Sequence, residues 1–81
     1  MRFDIKQMDN IINNIKVLRD SYIVNKDIFE RMGITRTLLC DLAKKRYIPR
    51  YTTIEFICKS LGINFNDFVN RKLNIRIIYY F

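Results

Sequence analysis

An all-helical fold is what this chain predicts, on three observations. Apolar residues recur at spacings of three and four through its middle, its two glycines follow such stripes, and its one proline separates two of them. Taken in order, Ile11, Ile15, Leu18 and Tyr22 make the buried stripe of a first helix. Asn25 is suited to cap a second, which carries Ile28, Phe29 and Met32. Gly33 then supplies the left-handed conformation that ends a helix without a Cβ penalty. Thr35 is suited to cap a third helix with Leu39 and Leu42 facing inward. Pro49 marks a break before a fourth, whose Ile54, Ile57, Cys58 and Leu61 share one face and which Gly62 closes. The stretch "INFNDFV" gives a short fifth helix anchored by Phe65, Phe68 and Val69. The two ends differ. "RFDIK" alternates, and in "NIRIIYYF" the residues Ile75, Ile77, Tyr79 and Phe81 can share a face, so both read as short strands, although such apolar tails can also continue a helix.

Composition narrows the function. At 81 residues the chain is one domain, and a 49% hydrophobic content argues for folding rather than disorder. Fifteen basic against eight acidic residues leave a formal charge of +7, which suggests an anionic partner. The sequence contains no histidine, removing the commonest general base and metal ligand. It shows no Gly-rich phosphate loop, no activated-nucleophile pattern and no zinc spacing of its two cysteines, so neither catalysis nor a cofactor is expected. With two cysteines and no secretory leader pattern, a reduced cytoplasmic setting is the expectation. No apolar run approaches the ~20 residues of a membrane span, and no membrane partner is expected. Isoleucine and asparagine are used heavily while alanine occurs once, a bias that says little about function.

The stretches "IFERMGITRTLLCDL" and "PRYTTIEFICKSLGINFNDFV" carry a sharper signal. Two short helices joined by a glycine turn form a helix-turn-helix unit. From Ile28 to Val69 the chain resembles the lambda-repressor/Cro-like (XRE-type) helix-turn-helix family, whose usual apolar positions fall on Ile28, Met32, Ile34, Leu39 and Leu42. The resemblance implies a five-helix DNA-binding core over 9–70, with the helix at 35–44 entering the major groove, and leaves a C-terminal extension at 71–81. It has departures: Phe29 stands where the family usually has a small residue, Ala43 where a glutamate often pairs with a helix-one arginine, and Lys45 where a glycine is common. Arg19 therefore lacks that partner. The turn before Asn25 is also about one residue short.

A helix fits the major groove and its first residues reach base edges. Here the candidates are Arg36, Thr37 and Leu38, with Cys40 and Asp41 on the next turn. Arg36 is the side chain for a bidentate contact to guanine, Thr37 or Leu38 for a thymine methyl, and Asp41 for cytosine or for orienting Arg36. Lys44, Lys45, Arg46, Tyr47 and Arg50 follow with no acidic residue among them, where family members contact phosphates. Asn25 and Thr52 sit where helix N-termini would offer N–H groups to phosphate, and serve equally as ordinary caps. The expected function is thus a sequence-specific double-stranded DNA-binding regulator, a repressor, acting as a homodimer through Ile75, Ile77, Tyr79 and Phe81. The alternative is an antitoxin-like interaction module whose tail binds a partner protein such as a toxin.

Overall fold

The computed structural model describes residues 3–23, 25–44 and 49–73, and among them every regular element is a helix: α1 (Ile5–Ser21), α2 (Lys26–Arg31), α3 (Arg36–Ala43), α4 (Tyr51–Leu61) and α5 (Phe65–Asn70). The chain is all-α in these residues, as its periodicity predicts. The tail residues Ile75, Ile77, Tyr79 and Phe81 lie outside the described residues, as do Lys45, Arg46 and Tyr47.

The N-terminal strand is not formed. Asp4 instead caps α1: its carboxylate accepts from the Gln7 N–H at 2.7 Å while the Gln7 side chain accepts from the Asp4 N–H at 3.1 Å. This reciprocal pair satisfies two donors that a helix start leaves unpaired, and it outweighs the short apolar alternation around it. Ile5, an apolar member of that alternation, is 85% exposed in the first turn. Phe3 finds its apolar contact elsewhere, stacked on Tyr51 with ring centroids 5.6 Å apart and 6.3 Å from Phe65.

α1 is the long member, with α3 and α5 packed against it and α4 against α5. Its stripe of Ile11, Ile15, Leu18 and Tyr22 enters a single core with Phe29, Ile34, Leu39, Leu42, Ile54, Ile57, Phe68 and Val69. Both glycines close their helices in the same way. Gly33 has φ +81° and Gly62 φ +69°, and the residue after each donates back across the turn, Ile34 to the Phe29 carbonyl at 2.8 Å and Ile63 to that of Cys58 at 2.9 Å.

A polar seam joins α1 to α5. Asn14, 2% exposed, donates to the carbonyls of Phe68 at 2.7 Å and Arg71 at 2.8 Å, and its oxygen accepts from the Leu73 N–H at 2.7 Å. Asn10 donates to the Val69 carbonyl at 3.2 Å, and Gln7 reaches Asn70 at 3.3 Å. The carbonyls that a six-residue helix such as α5 leaves open at its end are therefore closed by side chains of α1.

Candidate nucleic-acid interface

The corner between α2 and α3 is fixed from inside. Ile34, fully buried, plugs the turn into the core, Gly33 donates to the Glu30 carbonyl at 3.0 Å, and the Thr35 hydroxyl caps α3 by accepting from the Leu38 N–H at 3.1 Å. α3 divides cleanly beyond that cap. Leu39, Leu42 and Ala43 face the core, whereas Arg36 and Thr37 are exposed and Cys40 and Asp41 half-buried. Leu38 is also half-buried and packs on the rim of the core, which leaves only part of it outward. Lys44 forms the exposed C-terminal end.

α4 flanks this corner. The space at the Gly33 Cα is bounded by the Phe56 ring, 3.5 Å from where a β-carbon would stand, and Phe56 remains 44% exposed. Thr52 lies one turn before Phe56 on the same exposed face, and Arg50 precedes it as the N-cap residue, without a side-chain cap bond. Helix α4 begins at Tyr51, so Thr52 sits inside its first turn and is not its cap. The exposed groups that the structure places around the corner are thus Arg36 and Thr37 on α3 and, by way of Phe56, the outer face of α4.

One candidate phosphate ligand is otherwise engaged. Asn25 does occupy the N-cap position of α2, but it is 2% exposed and its amide donates to the Ser21 carbonyl at 3.1 Å, tying α2 back to α1. Arg19 sits 3.6 Å from the Asp20 carboxylate. An exposed pair of that kind contributes little to stability.

Sequence reading gave no special role to the Tyr22 hydroxyl or to Glu30. Tyr22 is buried, its ring lies edge-on to Phe29 at 6.1 Å, and its hydroxyl donates to the Glu30 carboxylate at 2.8 Å. That hydrogen bond holds the phenol above its usual range, with burial acting in the same direction and the Arg36 N–H and guanidinium opposing it. Within an apolar stripe Tyr22 registers as a hydrophobic residue, and periodicity says nothing of where its oxygen ends.

Comparison with protein families, with curated proteins and with solved structures returned no match. The reading of this surface accordingly rests on its own geometry. Among the described residues no group of three or more His, Cys, Asp or Glu is placed to hold a metal ion, and no helix is long and apolar enough to cross a membrane. An eight-residue helix such as α3 is roughly 12 Å long, and a helix with its side chains is about 10–12 Å across, the scale of the major groove of B-DNA.

The two thiols are set apart by burial. Cys58 is 2% exposed and burial pushes its pKa up to about 11, whereas Cys40 is half-buried on α3. In the folded protein at pH 8, a disulfide reagent is expected to modify Cys40 readily and Cys58 only after denaturant is added. Because the folded chain holds the Cys58 proton more tightly than the unfolded one, whose pKa is near 9.0, this contribution to stability is intact below that pH. It disappears as the pH rises through about 11. A pH series of urea melts, in wild type and Cys58→Ala, checks the sign: the loss between about pH 9 and 11 should be smaller in the variant.

Proposed function

We propose that this protein is a sequence-specific double-stranded DNA-binding regulator, a repressor of the lambda-repressor-like helix-turn-helix kind, acting in the cytoplasm. The observation that carries the reading is the division of α3. Its inner residues lock it to α1, and its capped first turn offers Arg36 and Thr37 to solvent after a turn whose Gly33 lies against Phe56 of α4. A guanidinium at the first position of an exposed helix has the planar donor fork that reads guanine. Lys44 at the other end of the same helix and Arg50 before α4, both exposed, supply charge for flanking phosphates, and the +7 net charge favours a polyanion throughout. Leu38, Cys40 and Asp41 would contribute from the second row of the same surface. Occupying an operator with so small a domain blocks access to it, which is the repressor's mode of action. A homodimer on two half-sites about 10 base pairs apart would give useful affinity.

Selection of bound duplexes from a random DNA pool tests this directly. The expected result is an enriched inverted repeat. On that duplex Arg36→Ala, with its helical signal intact, should bind about 10- to 100-fold more weakly, the effect of losing one bidentate base contact. Lys44→Ala should instead weaken all duplexes alike and reduce the salt dependence. If no sequence is enriched and binding disappears with rising salt, the basic face attracts DNA only nonspecifically, and partner-protein binding becomes the function to pursue.

A further inference from the structure

We propose that Tyr22 and Glu30 are a positioning pair, in which the Tyr22 hydroxyl holds the end of α2 so that the first turn of α3 meets DNA at a fixed angle. The inference rests on the regulator reading above and adds to it the residues that aim the reading helix.

The two residues of α2 that meet Tyr22 are the two that build the turn. Phe29 packs its ring against that of Tyr22, and its carbonyl accepts from Ile34 at 2.8 Å. Glu30 accepts the Tyr22 hydroxyl at 2.8 Å through its side chain, and its own carbonyl accepts from Gly33 at 3.0 Å. One residue of α1, itself the C-cap of that helix, therefore restrains both acceptors that set the α2–α3 angle. Arg36, at the first position of α3, is close enough that its N–H and its charge both act on the phenol. The ring alone would serve the core. A hydroxyl in a position 6% exposed that reaches an otherwise exposed carboxylate has a restraining role that the core does not require.

Tyr22→Phe keeps the ring and deletes only the oxygen. It is to be compared in the full chain with Glu30→Ala and with Glu30→Gln, which retains an oxygen acceptor. Amide exchange at Gly33, Ile34 and Arg36 reads the restraint without DNA, and the ratio of affinities for the selected duplex and a scrambled one reads its consequence. In Tyr22→Phe those three amides are expected to exchange about five-fold faster relative to amides of α5, as loss of one hydrogen bond implies. The affinity ratio should fall by about the same factor with binding to scrambled DNA unchanged. Glu30→Ala should reproduce this, Glu30→Gln should restore the wild-type exchange, and the double variant should be no worse than Tyr22→Phe. Unchanged exchange at the corner, or a rise shared by every helix, overturns the pair. Faster exchange at the corner in a chain that selects no duplex leaves the restraint standing and overturns the regulator reading.

Discussion

Replacing Phe29 with alanine is expected to cost about 3–5 kcal/mol, the range for truncating a buried phenylalanine. For a chain of 81 residues, whose whole stability is roughly 4–12 kcal/mol on a per-residue basis, that is a quarter of the total or more. The resemblance drawn from the sequence implies a small residue here, so alanine would be harmless if this corner were built in that way. It is built around the larger ring instead. Phe29 is fully buried and meets the edge of Tyr22, so truncation opens a void in a close-packed interior. Urea melts followed by helical signal decide it: a variant within ~1 kcal/mol of wild type would mean that the corner collapses onto alanine.

Asn14→Ala is the second large effect, at about 2–3 kcal/mol. The substitution strips partners from the Phe68 and Arg71 carbonyls and the Leu73 N–H, each a loss of about 1 kcal/mol net and more wherever water cannot replace the side chain. Alanine's better helix propensity in the middle of α1 returns half of one such bond at most, roughly 0.5 kcal/mol. Asn14→Asp separates this mechanism from simple loss of volume. It can still accept from Leu73, but at neutral pH its carboxylate would face two carbonyl oxygens with no proton to offer. The aspartate variant should therefore be less stable than the alanine variant at pH 7, and should recover part of the difference at pH 4 as the carboxyl gains a proton to donate. Equal stability of the two variants at both values would rule out the carbonyl-capping role.

What could be seen in the sequence follows from what kinds of contact leave a periodic trace. Ile11, Ile15, Leu18 and Tyr22 repeat because one face of a helix is dry, and all four are buried. Gly33 and Gly62 could be assigned because a positive φ is a demand few other residues meet, and both have it. The start of α1 was hidden by two apolar residues that happen to alternate, although Asp4 and Gln7 stood at the spacing of a capping box. Asn10 and Asn14 were lost in a general abundance of asparagine. Polar side chains on a helix suggest solvent unless their partners are known, and these partners are carbonyls 54 to 59 residues further on. Of the site, exposure of Arg36 and Thr37 followed from the inward stripe of Leu39 and Leu42. That the Asn25 amide would turn back to Ser21 did not, because a cap position in sequence does not say which backbone group the side chain will meet.

The Asn14 clasp also has a bearing on when the domain can be completed. Its bonds span 54, 57 and 59 residues, which makes them among the slowest contacts to form, since each closes a loop containing most of the chain. During synthesis the polar seam of α1 has no partner until Phe68 and Val69 have been added, and Asn14 is fully satisfied only once Leu73 follows. Closure of the seam is in that sense gated by the last turn of α5 and the residues just after it rather than by the helices that precede it.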